Sequence, residues 1–170
     1  MPASLAHKPL SSVRVRAAVP GDLAALVELE HRVFATDRLS RRSLRRFLNL
    51  RTAVMTVAEG EGGHLAGTAI LLFRAHSAVA RLYSIAVAPH MGGRGVASML
   101  LAAVEEMARK RGCTSVRLEV HVTNHPAIAR YRKSGYQQFG RHPAYYDDGG
   151  DALRFEKRLV PHRRGRAPQR

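Results

Sequence analysis

A chain of 170 residues, 45% hydrophobic and 24% charged, has the balance of one globular domain large enough to bury a core. It holds no apolar run of the roughly 18–20 residues that a bilayer span requires, and its first residues lack the apolar segment of a secretory signal, so it reads as a soluble cytoplasmic protein with no membrane partner. A formal charge of +15 favours acidic or polyanionic partners, and a single cysteine, Cys113, excludes an internal disulfide and reads as a buried structural thiol.

Residues 1–12 read as an N-terminal tail, 13–160 as the domain, and 161–170, rich in arginine with Pro and Gly, as a basic disordered tail. Within the domain, Val13–Ala18 alternates like a strand. Pro20–Phe34 carries Leu23, Leu26, Val27, Leu29, Val33 and Phe34 near helical spacing, with Asp22 suited to the first turn. Ser40–Leu50 predicts a short basic amphipathic helix, capped by Ser40, with Leu44, Phe47 and Leu48 on one stripe. Strands Thr52–Glu59 and His64–Ala75 flank a glycine turn, and Val79–Pro89 is a further strand. A long helix follows from about Gly93 to Arg111, ended by Gly112. Thr114–Val122 alternates cleanly, Asn124 caps a helix to about Ser134, and residues 135–140 and Asp151–Leu159 close the chain as strands. This order predicts an α+β fold: a mixed, mostly antiparallel sheet of six to seven strands, about four helices and one β-α-β crossover.

The strand-to-helix joint after Pro89 reads His-Met-Gly-Gly-Arg-Gly-Val-Ala-Ser. A helix N-terminus leaves its first amides without internal partners and carries partial positive charge. Glycine lets such a backbone approach a ligand closely, so the joint suits a phosphate or diphosphate. Gly92, Gly93, Gly95, Val96, Ala97 and Ser98 would supply the cradle and Arg94 a mobile cation. The dinucleotide fingerprint and the Walker loop both fail on spacing. Gly93, Gly95 and Ala97 instead have the spacing of a coenzyme A diphosphate loop, although the same glycines would also serve a tight turn.

Here the sequence resembles the GCN5-related N-acetyltransferase (GNAT) superfamily, through Ile85-Ala86-Val87, Pro89, Gly93, Gly95, Ala97 and Leu100-Leu101, with Gly92 standing where Arg or Gln is common. A denser set, Leu118-Glu119-Val120, Asn124, Ala127, Tyr131, Gly135-Tyr136, Tyr145-Tyr146 and Asp151-Ala152, is similar to the RimI-like branch, which acetylates protein N-termini. The resemblance spans about Val13 to Leu159. It implies the GNAT fold, acetyl-CoA as cosubstrate, a coenzyme contact at Asn124, and an acceptor groove framed by Tyr145 and Tyr146, which are expected to shape substrate entry together with the helix Ser40–Leu50.

Acetyl transfer to an amine needs a base, a site for the carbonyl oxygen and an acid for the departing thiolate. On the strand Thr114–Val122, Glu119 shares with Arg117 and His121 the face opposite the apolar one. Glu119 is the candidate base, directly or through a water, its proton affinity to be raised by partial desolvation. Tyr131, on the stripe with Ala127 and Ile128, is the candidate acid. Backbone amides around Ile85, Ala86 and Val87 are candidates for holding the thioester oxygen, a role worth up to about 3–4 kcal/mol. His121 reads as a bystander. The histidines have no metal-ligand spacing with the cysteine, so no metal is expected. The preferred acceptor is a protein or peptide N-terminal amine, with a small-molecule amine as the alternative. The charge is compatible with a ribosome-associated or acidic protein target. A basic nucleic-acid-binding module and a silent acyl-CoA sensor are the readings of another class. Monomer and homodimer both remain open.

Overall fold

The computed structural model describes residues 13–161; the tail expected over 1–12 and all but the first residue of the tail expected over 161–170 lie outside the described residues. Each apolar pattern becomes an element in the expected order. These are β1 (Arg14–Ala17), α1 (Leu23–Val33), α2 (Arg41–Asn49), β2 (Ala53–Glu59), β3 (Leu65–Leu72), β4 (Val79–Val87), α3 (Val96–Lys110), β5 (Ser115–His121), α4 (His125–Lys133), β6 (Gln137–His142) and β7 (Ala152–Arg158). Among the described residues the strands form one sheet in the order β1-β2-β3-β4-β5-β7-β6. Every neighbouring pair is antiparallel except β4 and β5, which are parallel and joined through α3, the expected crossover.

The helices cover both faces. On one face Leu100, Leu101 and Val104 of α3 and Ile128 and Tyr131 of α4 share a core with Leu71, Leu82, Val116, Leu118 and Phe155. On the other, Leu26 of α1 and Leu44 of α2 pack with Met55, Val57 and Ile70. Strand β3 is buried on both faces, which is why its sequence reads as a continuous apolar run rather than an alternation.

Element ends follow local chemistry. The Ser40 hydroxyl accepts from the Ser43 amide at 3.1 Å, and the Asn124 side chain accepts from the Ala127 amide at 3.3 Å. Gly112, at φ 80°, closes α3: its own amide reaches Arg109 O and the Cys113 amide reaches Ala108 O, both at 2.9 Å. Cys113 is buried, as expected of a structural thiol. Of the boundaries that differ from the sequence reading, which include β3 ending at Leu72 and β6 running over Gln137–His142, two show their cause directly. Pro20–Asp22 forms a separate 3-10 turn before α1, because the Asp22 carboxylate accepts from the Val19 amide and is held by both Arg16 terminal nitrogens at 2.8 and 2.9 Å. That guanidinium holds the Asp22 carboxyl below the usual carboxylate range. Helix α3 starts at Val96 rather than Gly93, because Gly93 (φ 74°) and Gly95 (φ 78°) take left-handed backbone that ends the preceding turn.

One irregularity shapes the rest. Ile70 pairs with Ser84 and Leu71 with Leu82, leaving Tyr83 as an extra residue on β4. The bulge inverts the alternation. Before it, Ala80 and Leu82 belong to the α3-side core; after it, Ile85 and Val87 pack on that core while Ala86 and Ala88 join Leu29 on the α1 side. Pairing of β4 with β5 stops at Arg81 and Arg117, and beyond that point the two strands part.

Candidate functional site

The gap between the parted strands is a cleft of about 1020 Å³, walled by Arg81–Ile85 and Val87 of β4, Leu118–His121 of β5, the α1–α2 connection, the first turn of α3 and one side of α4. Ladder bonds to β3 use one edge of β4; the edge facing β5 is unpaired through Ile85–Val87. An open strand edge is a row of donors and acceptors available to a ligand.

At one end lies the glycine turn. Gly92, Gly93, Gly95, Val96, Ala97 and Ser98 line the cleft. The first helical bond of α3 runs from the Met99 amide to Gly95 O at 3.0 Å, so the amides of Val96, Ala97 and Ser98 fall outside the helix's own ladder. A 15-residue helix aims its positive end there. Asn124 also lines the cleft, though its side-chain oxygen is engaged in capping α4.

Two side chains of the expected coenzyme-binding set, Ala86 on the thioester strand and Arg94 in the diphosphate loop, face elsewhere. The Ala86 side chain, 1% exposed, is turned by the Tyr83 bulge into the cluster with Leu29 and Ala88, and Ala86 is absent from the cleft wall that Ile85 and Val87 line. Arg94 departs on the α1 side of the loop, between the two left-handed glycines. Its Nη1 lies 4.0 Å from Met91 Sδ, and it borders a separate cavity of about 460 Å³ with Glu28, Arg32, His64 and His90.

At the other end the four side chains expected from sequence come together. Glu119, Tyr131, Tyr145 and Tyr146 all line the cleft. Glu119 carries an ion pair in addition to the expected partial burial: Arg81 Nε donates to its Oε2 at 3.1 Å, and Arg81 Nη2 donates to the Tyr145 hydroxyl at 2.7 Å. Burial opposes the charge on Arg81, but Glu119 and Tyr145 outweigh it and raise that guanidinium above the ordinary arginine value. Tyr131 is packed against Tyr136 and Phe155, with ring centroids 5.8 and 6.5 Å away. Burial pushes its phenol up to about 12, Arg130 pulling the other way and Tyr146 adding to the rise. Its hydroxyl makes no hydrogen bond among the described residues. Tyr146 is likewise pushed up to about 12 by burial, with Tyr145 and Glu119 contributing.

The loop that delivers the tyrosines is firmly built. The Tyr145 and Tyr146 amides both donate to Gly150 O, at 3.0 and 3.1 Å, and Asp151 accepts from the Ala144 amide at 2.9 Å. Tyr146 stacks on His121 at 4.9 Å and meets Tyr145 edge-on at 5.0 Å. His121 is thus more than an idle surface residue. Its Nδ1 accepts from the Thr123 amide at 3.1 Å, which assigns the ring proton to Nε2, the atom facing Asp148 at 2.9 Å.

Two cleft residues escaped the sequence reading. Arg81 is a charge in an apolar strand, a signal that it answers a partner. Glu30 is only 1% exposed; its Oε2 accepts from the Leu39 amide at 2.9 Å while Oε1 has no hydrogen-bond partner among the described residues. Burial pushes its carboxyl up. Its position four residues after Leu26 and three before Val33 puts a carboxylate on an apolar stripe, which was the visible clue. Among the described residues no group of His, Cys, Asp and Glu is arranged to hold a metal, and no helix is long and apolar enough to cross a membrane.

Compared with known proteins, the sequence profile of the acetyltransferase (GNAT) family matches residues 23–136. A streptothricin acetyltransferase of Streptomyces lavendulae is 37% identical over 90 residues, which are 53% of this chain and 48% of that protein. An N-alpha-acetyltransferase of Saccharolobus solfataricus is 39% identical over 77 residues, 45% of this chain and 46% of that protein. The chain therefore spans about half the length of these curated relatives. The solved structure of the ribosomal-protein-S18-alanine N-acetyltransferase from Escherichia coli superposes with a TM-score of 0.78, over 92% of this chain and 99% of that one, at 24% identity, a likeness of fold.

Proposed function

Because the chain belongs to the acetyltransferase (GNAT) family, we propose that its cleft transfers an acetyl group from acetyl-CoA to a primary amine, and that the acceptor is the N-terminal amine of a protein or peptide. Acetyl-CoA supplies the activated acyl carbon and a thiolate leaving group. The free amides of Val96, Ala97 and Ser98, with the Gly92–Gly95 turn, receive its diphosphate. The open edge at Ile85–Val87 offers donors to the thioester oxygen.

At the far end Arg81 engages Glu119 Oε2, so Oε1 is the oxygen left to take a proton from the acceptor ammonium, directly or through a water. The freed amine attacks the carbonyl carbon, the amide bond forms and the carbon–sulfur bond breaks. Tyr131, kept protonated by burial, hydrogen-bonds the departing sulfur, which takes up the proton that the amine nitrogen sheds as the amide forms. Tyr145 and Tyr146 wall the acceptor side.

The observation that carries this reading is a single cleft with an amide cradle at one end and Glu119, Tyr131 and the tyrosine pair at the other. The N-alpha-acetyltransferase relative supports a peptide acceptor. The streptothricin acetyltransferase relative favours a second reading, a small-molecule amine. Thiol release from acetyl-CoA, with mass analysis of the acceptor, separates them when N-terminal peptides and small amines are compared side by side. Acetylated peptides are expected. Turnover of small amines alone establishes the second reading, and no thiol release with either rejects both.

A further inference from the structure

Helix α2 carries Arg41, Arg42, Arg45 and Arg46, all exposed, and no acidic residue. None of the four makes an ion pair or a side-chain hydrogen bond among the described residues. Some cations elsewhere are compensated: Arg16, Arg81, Arg117, Arg141 and Lys157 each face a carboxylate, whereas Arg130, Arg132 and Lys133 of α4, like the α2 arginines, face none among the described residues. On α2 the uncompensated charge works against the helix. Arg41 and Arg42 sit in the first turn, at the positive end of the dipole. Arg41 and Arg45 repel one turn apart, as do Arg42 and Arg46. The Ser40 cap and the burial of Leu44 hold the helix instead. A local conflict that the fold leaves uncompensated is a mark of function directed outward.

The place of α2 says what that function is. The segment leading into it, including Asp37 and Leu39, lines the cleft. Phe47 packs on Tyr83, the bulge residue of the cleft wall, with ring centroids 5.1 Å apart. Asp37 lies within electrostatic reach of the Tyr146 phenol. One side of α2 and the acidic Asp37 thus lie beside the wall of the cleft that holds Glu119.

We propose that α2 is a specificity surface for acidic acceptors: the arginines read Asp and Glu side chains a few residues beyond the acetylated N-terminus. A nine-residue helix is roughly 13 Å long, the span of about four extended residues. The reading region thus falls at about acceptor positions 3–6. Peptide is favoured over nucleic acid because α2 is joined to the wall of a cleft, through Phe47 on Tyr83 and through the segment ending at Leu39, rather than to a broad groove. The inference rests on the peptide reading of the proposed function.

The test uses peptides with one common N-terminal dipeptide and acidic, amide or basic residues at positions 3–6, measured for kcat/KM at low and near-physiological salt. The acidic peptide is expected to lead the amide peptide roughly tenfold at low salt, through KM, with the gap narrowing as salt is added. In the Arg41→Gln, Arg42→Gln, Arg45→Gln, Arg46→Gln variant, with folding checked by thermal melting, the preference disappears. Equal kcat/KM for acidic and amide peptides in the wild type overturns the inference, as does a preference that survives in a folded variant. Inhibition by a single-stranded RNA oligonucleotide at concentrations where a free acidic peptide is inert also overturns it and assigns the helix to nucleic acid. Acetylation of small amines with no peptide turnover is a different result: it removes the peptide reading itself.

Discussion

Replacing Tyr131 by Phe removes one hydroxyl and leaves the packing against Tyr136 and Phe155 in place. The magnitude follows from the phenol's position near 12. An ordinary thiol titrates near 8.5, so complete proton transfer from Tyr131 to a thiolate is uphill by about 3.5 pH units, or roughly 5 kcal/mol. Tyr131 therefore acts by hydrogen-bonding the developing thiolate and following it, rather than by protonating it in advance. A hydrogen bond to a charged group is worth about 1.5–3 kcal/mol, which is roughly a 10- to 150-fold fall in rate for Tyr131→Phe. The sign with pH is equally definite. An acid works while protonated, so this contribution is present throughout the neutral range and is lost only as pH rises through about 12. Single-turnover thiol release at saturating acetyl-CoA, from pH 6 to 10, should show the reduced rate with no alkaline decline assignable to Tyr131. The melting temperature should move by less than about 3 °C, because no internal partner of the hydroxyl is lost. A variant retaining more than a third of the wild-type rate refutes the reasoning. So does a wild-type decline between pH 8 and 10 that vanishes in the variant.

Glu119→Gln keeps an acceptor for Arg81 but removes the base; the rate should fall on the order of a hundredfold while coenzyme affinity, read by calorimetry, stays put, and an unchanged rate would remove Glu119 from the chemistry. Gly150→Ala places a methyl 2.1 Å from His121 Nε2 and 2.8 Å from Asp148 Oδ1, so it should displace the tyrosine loop at a cost of roughly 1–3 kcal/mol and raise the acceptor KM more than the acetyl-CoA KM; equal effects on both would contradict a loop confined to the acceptor side. Glu30→Gln tests the buried carboxylate. A carboxyl raised in the folded state binds its proton more tightly there than in the unfolded chain, so wild-type stability drops as pH climbs from about 4.3 through the raised value. Calorimetry from pH 4 to 8 should find the variant gaining on the wild type as pH rises, and the opposite trend would show that the charge is stabilising.

The features readable in the sequence are those in which a residue acts on its own backbone or its nearest neighbours. Gly93 and Gly95 announce left-handed backbone, Ser40, Asn124 and Gly112 mark helix ends, and the alternation of Ser115–His121 sends Glu119 to the polar face. These local rules were enough to order eleven elements and to identify the residues that wall both ends of the cleft. What they could not reach depends on groups distant in the chain. The β4 bulge exists only as a register between β4 and β3, and it turns Ala86 away from the cleft while parting β4 from β5. Arg81 meets Glu119 and Tyr145 across 38 and 64 residues, and Glu30 is buried because α1 lies on the sheet. Local propensity determines where backbone turns and where helices stop; whether a charge is paired, buried or aimed into a cleft is decided by which strands become neighbours, and only the folded chain contains that information.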